Sequence, residues 1–217
     1  MIPAPEDAPL RLHHLWSLHE DTAVGWDEEG QALLLSGPQG TERIEAPASV
    51  VAEALHRMEM GPIRLANLLP PPDASHPAAG DTRHAGQDGY TAVLSVLRDI
   101  SHLVIRTLSM EDLKGPVLSV VPARRTARFV PAAVPPQRTV GLRAGVTITV
   151  RGNAFWLESR TLEHRVEIHR PEAMWVVSLL AWPTTPDALV EVAPLPAELT
   201  LAILAHLAGA GMTVTGP

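Results

Sequence analysis

The chain has 217 residues, 46 % of them apolar, with a net charge of −7 and a mean hydropathy of +0.09. That balance suits a folded protein of one large or two small domains, and its acidity repels phosphate backbones, which argues against nonspecific nucleic-acid binding. The sequence has no cysteine, which excludes disulfides, thiolate metal sites and thiol catalysis; with no signal-like start and no apolar run near ~20 residues, the expected setting is the cytoplasm, without a membrane partner.

Residues 1–9, rich in Pro, Ala and acidic groups, are expected to be mobile. Over 10–19, Leu10, Leu12, His14, Trp16 and Leu18 share one face of an extended chain, which predicts a strand. Further strands are expected at 24–27, 32–35 and 41–45, separated by a turn at Asp27, Glu28, Glu29 and Gly30 and another at 36–40. Pro47 opens a helix with Val50, Val51, Ala54, Leu55 and Met58 on its apolar face, and Gly61 and Pro62 end it. A short helical piece is predicted at 63–69. Pro70, Pro71 and Pro72 stop the chain, and 73–89 reads as a flexible surface loop, with Pro, Ala, Gly, Asp and His and no apolar period.

The spacing of Val93, Leu94, Leu97, Ile100, Val104 and Leu108 predicts a helix over 91–108. Gly115 and Pro116 break it, 117–121 reads as a strand, and 122–137 as a Pro-punctuated connector carrying Arg124, Arg125 and Arg128. Residues 145–180 then organise the second half. Val146, Ile148 and Val150 alternate as in a strand, Gly152 and Asn153 supply hairpin chemistry, and Phe155 and Leu157 alternate in a second strand. Val166 and Ile168 make a third, with Arg165, Glu167 and His169 on its other face. Pro171 suits a first helical turn, followed by Ala173, Val176, Val177 and Leu180 at helical spacing. Helices are expected at 186–192 and 196–207, the last burying Leu199, Ile203, Leu204 and Leu207, with a final strand at 212–215.

The halves repeat. Placing Gly30 on Gly152 puts Leu35 on Leu157, Ile44 on Val166, Leu55 on Val177 and Met58 on Leu180, as two copies of one unit would. Each copy reads β-β-β-α-α-α. The expected fold is α+β: two tandem winged-helix-like modules, each a small antiparallel three-stranded sheet packed on three helices. The first spans 1–116, with a flexible insertion at about 70–90; a strand and Pro-rich connector fill 117–139; the second spans 140–217.

No motif carries an obvious reaction. His13, His14 and His19 lack a carboxylate partner at ligand spacing, His76 and His84 fall in the loop, and His164, His169 and His206 could line one groove. Ser36 and Ser159 lie in no nucleophile elbow. The helix at 196–207 has no Lys or Arg, with Glu198 and His206 its only ionisable side chains, so the alternative of a winged-helix DNA-binding transcription regulator is disfavoured. The exposed third strand of each unit could instead accept an extended peptide as a further strand.

The run VLSVVPARRTARFVP, the pattern FWLESRTLEHRVEIHRPEAMWVVSLLAWPTT and the closing LPAELTLAILAHLAGAGM together resemble the N-terminal region of SagB-type azoline dehydrogenases. These are flavin enzymes of azole formation in ribosomally made, modified peptides, thiopeptides among them. The likeness covers about 92–217 directly and the first half through the duplication. It implies winged-helix modules of the RiPP recognition element type, which capture a precursor's leader peptide. The implied peptide edges are Arg165, Val166, Glu167, Ile168 and His169 facing Leu199, Ile203 and His206, and in the first copy Arg43, Ile44 and Glu45 facing Leu94 and Leu97. The family's FMN domain follows this region, whereas this sequence ends at Pro217. The chain is therefore expected to hold no cofactor and no catalytic residue. Its expected partners are the leader peptide, the flavin dehydrogenase domain or other RiPP-modifying enzymes, and, as an alternative role, a second copy of itself.

Overall fold

The computed structural model describes residues 10–37, 40–68 and 80–216, with side chains left out over 80–87. The expected mobile start, the tip of the 36–40 turn and most of the Pro-rich loop lie outside the described residues. The protein is α+β, with five α-helices, a six-stranded antiparallel sheet and two small sheets among these residues. It divides into two compact units. The N-terminal unit is Leu15–Thr107 with Val120–Phe129; the C-terminal unit is Met1–His14, Leu108–Ser119 and Val130–Pro217.

Strand β1 is Leu12–Leu18. The N-terminal unit then builds a three-stranded antiparallel meander from β2 (Ala23–Trp26), β3 (Ala32–Gly37) and β4 (Gly40–Glu45), in that order. Asp27 shapes the first turn: its Oδ1 accepts the N–H groups of Gln31 and Ala32 at 2.8 and 3.1 Å, and Gly30 takes the left-handed φ of 68° that costs glycine no Cβ clash. Helix α1 (Ser49–Met60) lays Val51, Ala54, Leu55 and Met58 on Leu33 and Leu35 of β3, all nearly water-free. Helix α2 (Gly80–Asp99) adds Val93 and Leu97 to the same core.

Two expectations are corrected here. The residues 80–89, expected in a loop, are helical, and the helix expected to reach 108 ends at Asp99. A short 3-10 turn, Ser101–Leu103, leads into strand β5, Val104–Met110. The β-branched Val104, Ile105 and Thr107 lose χ1 freedom in a helix and fit a pleated sheet better. Arg106, on β5, lies with its guanidinium 3.2 Å from the ring centroid of Trp16. Burial pushes it down to about 10.

Strand β6 (Pro116–Pro122) is apolar but for Ser119, with Val117, Leu118 and Val120 shut off from water. The C-terminal unit also holds β7 (Val140–Leu142), β8 (Thr147–Arg151), β9 (Ala154–Glu158) and β10 (His164–Ile168). After these come α3 (Pro171–Leu179), α4 (Pro186–Val192), α5 (Ala197–Gly209) and β11 (Thr213–Thr215), which pairs with β7. The expected hairpin is present: Gly152 takes φ 58° between β8 and β9, and β9 pairs with β10. The six-stranded sheet runs in the order β1-β5-β6-β10-β9-β8. At the end of β10, Arg170, 8 % exposed, holds both oxygens of Asp112 at 3.0 and 2.8 Å and also binds Glu172. This triad ties the start of α3 to the β5–β6 turn.

Candidate peptide-binding edges

A sheet edge accepts a foreign strand only if its outward N–H and C=O groups are free. On the expected edge of the C-terminal unit, β10, they are not. β10 carries Arg165, Val166, Glu167 and Ile168, and its outer margin is filled by β6 of the same chain. The His169 N–H donates to the Val117 carbonyl at 3.1 Å, and Ser119 Oγ lies 2.9 Å from His169 Nε2. The opposing helix face is sealed as well: Leu199, Ile203 and His206 are each at most 1 % exposed. His206 Nδ1 lies 2.7 Å from the Ala202 carbonyl, and its ring stacks on His14 at 5.4 Å. The expected peptide edge at 165–169, facing Leu199, Ile203 and His206, is thus corrected. The apolar run of β6 supplies the neighbouring strand, and the buried helix face leaves no cleft for foreign side chains. The expectation that His164, His169 and His206 line one open groove goes with it, because His164 and His206 are themselves buried.

The N-terminal unit differs. β4 ends its sheet, and no described strand pairs with its outer side. Register fixes which groups point outward. Ile44 lies opposite Leu33, and the Ala46 N–H donates to the Gln31 carbonyl at 3.0 Å. Strand groups alternate, so Glu42 and Ile44 bond to β3 while Thr41, Arg43 and Glu45 direct their N–H and C=O groups away. The Arg43 side chain stands in solvent, donating to Asp27 at 2.7 Å and to Glu45 at 2.6 Å. On the inner face Ile44 is half-buried against the core cluster that contains Leu97, and Leu94 of α2 packs against the same cluster. The structure therefore places Ile44 and Leu94 each against the core that holds Leu97, and leaves the Arg43–Glu45 margin open. The start of β4 is more enclosed, since Glu42 is held by Arg125 and lies 3.2 Å from the buried His102.

Two features of these units had no local signal. The Arg106–Trp16 stack joins residues far apart in sequence, and Arg125 reaches Glu42 from a stretch that reads as a solvated connector. Among the described residues no three His, Asp or Glu side chains come together to hold a metal ion, and no helix is long and apolar enough to cross a membrane.

Three imidazoles make the fold sensitive to acid. Burial holds His102, His164 and His169 below the usual 6.5, the Glu42 carboxylate opposing this at His102 and Glu163 at His164. The unfolded chain therefore binds these protons more readily than the folded one, so stability is full above 6.5 and is lost as pH falls through the depressed folded values. Calorimetric melts should show Tm falling as pH drops below about 6.5, with a further loss below about pH 4 from carboxylates held low in the fold. Asp27 is one of these, bound by the Ala32 N–H, then by Gln31 and Arg43. A melt unchanged from pH 7 to 5 would contradict this assignment. No protein-family model matches the sequence, and no curated protein matches it.

Proposed function

We propose that this chain is a non-catalytic peptide-recognition and scaffold region of a SagB-type azoline dehydrogenase system, built from two winged-helix-like modules in tandem. The first module captures an extended segment of the precursor leader peptide as a fourth strand on β4. The second module has its corresponding slot filled by β6, and serves as scaffold for the flavin-bearing catalytic domain, where FMN is expected.

One observation carries this reading: Arg43 and Glu45 turn main-chain groups outward, away from β3, on either side of the half-buried Ile44. Main-chain hydrogen bonds would supply affinity there, and alternate peptide side chains meeting Ile44 would supply selectivity. The shared order of strand, strand, strand and helix in β2-β3-β4-α1 and β8-β9-β10-α3 supports the tandem reading. Titration with a labelled leader peptide from the precursor of the same gene cluster tests it. Saturable binding at micromolar peptide is expected; no binding at about 1 mM, weaker than −4.1 kcal/mol, contradicts it.

A further inference from the structure

The apolar face of the β8-β9-β10 meander runs past its cover. Register aligns two cross-strand rows: Val166, Leu157 and Ile148, and Ile168, Phe155 and Val150. On β10 both members are buried, but exposure then rises to 42 % at Phe155, 47 % at Ile148 and 67 % at Val150. β8 is also the last strand of its sheet. Sheet edges are ordinarily guarded by lysine, proline, a bulge or an inward charge. β8, with the sequence TITVR, has none of these. Its one charge, Arg151 at the end, is neutralised by both oxygens of Glu158 at 2.8 and 2.9 Å. The contrast with β4 is direct, since that edge exposes Arg43 and Glu45.

We propose that β8 pairs antiparallel with β8 of a second copy of this chain about a twofold axis at Thr149, extending the sheet across a homodimer. The strand is its own complement. The antiparallel register that pairs all five residues sets Thr149 against Thr149. It then places Ile148 against Val150 of the other copy and Arg151 against Thr147. The exposed aliphatic side chains meet one another, the threonines meet at the axis, and no like charges face each other. A foreign strand has no such match specified on this surface. Two five-residue strands span only about 17 Å, short of what a standard interface of about 1,600 Å² needs, so the dimer is a weak, concentration-dependent one.

Sedimentation of the whole chain should give a mass near one chain at about 10 µM and approach two chains near about 1 mM, with Val150→Lys holding it at one. The chain's lack of cysteine permits a register test. Thr149→Cys should form a disulfide-linked dimer on mild oxidation, because directly opposed residues lie about 4.5–5.5 Å apart, within disulfide reach. Thr147→Cys should remain unlinked, its counterpart being about 14 Å away along the strand. A single-chain mass at the highest concentration overturns the proposal. So does equal cross-linking of the two cysteine variants, a dimer that survives Val150→Lys, or a mass increase that appears only when leader peptide is added.

Discussion

Replacing Arg170 with alanine is expected to destabilise the protein by about 3 kcal/mol, the low end for breaking a buried ion pair. The side chain is 8 % exposed and serves two carboxylates at once, Asp112 and Glu172. Their side chains keep 28 and 20 % exposure, so water repairs part of the loss. Burial raises the Asp112 carboxyl, but hydrogen bonds from Arg170 and from the Lys114 N–H outweigh it and hold the group below its ordinary value. The Arg170 hydrogen bond holds Glu172 low as well, against its own burial. Both carboxylates then contribute stability that is present above their unfolded values and lost as pH falls through the folded ones. The penalty of the variant should accordingly be greatest near pH 7 and shrink toward pH 3. Urea unfolding across that range checks it; a penalty that stays constant or grows in acid would remove the triad as its cause.

Replacing Arg43 with proline should weaken leader-peptide binding about 100-fold while leaving the fold in place. The Arg43 N–H points away from β3, so proline removes no bond within the sheet, and edge positions of this kind tolerate it. A docked strand, however, would lose that donor, keep an unpaired carbonyl and meet the ring. Together these cost about 3 kcal/mol, close to two powers of ten in affinity. Two companions separate causes. Arg43→Ala removes the contacts to Asp27 and Glu45 but keeps the N–H; Arg43 and Glu45 are exposed and Asp27, largely covered, keeps the Gln31 and Ala32 N–H groups, so the variant should destabilise by about 1 kcal/mol and bind nearly normally. Ile44→Pro breaks a bond to β3 and should destabilise by about 3 kcal/mol or more. Equal binding by Arg43→Pro and Arg43→Ala would rule out main-chain pairing at this margin.

The local devices of the fold were readable in the residues themselves. Gly30 and Gly152 at positive φ, Pro171 in the first turn of α3, and the apolar faces of α1 and α5 all stand where spacing predicts them. The stretch 91–108 shows why periodicity has a limit. Val104 and Leu108 are four apart, a spacing that serves a helix face and a strand face equally. The β-branched Val104, Ile105 and Thr107 were the better guide.

The position of β6 was harder to read. Its pairing with β10 spans some fifty residues, and no local pattern encodes a partner at that distance. A clue existed nonetheless: a run apolar on both faces belongs inside a sheet, where both faces are covered. Read that way, VLSVV already argued against a free margin on a neighbouring strand. β4 alternates Glu42 and Ile44 inward with Arg43 and Glu45 outward, the pattern of a strand with one wet face, and it remains an edge.

Residue-resolved amide hydrogen exchange, with and without leader peptide, tests the central claim most directly. Peptide addition should slow exchange at Arg43 and Glu45, whose N–H groups face outward, and leave the amides of β10 as they were, since β6 and β9 already flank that strand. Slowed exchange elsewhere, on β8 or α5, with Arg43 and Glu45 unchanged, would contradict strand addition at β4.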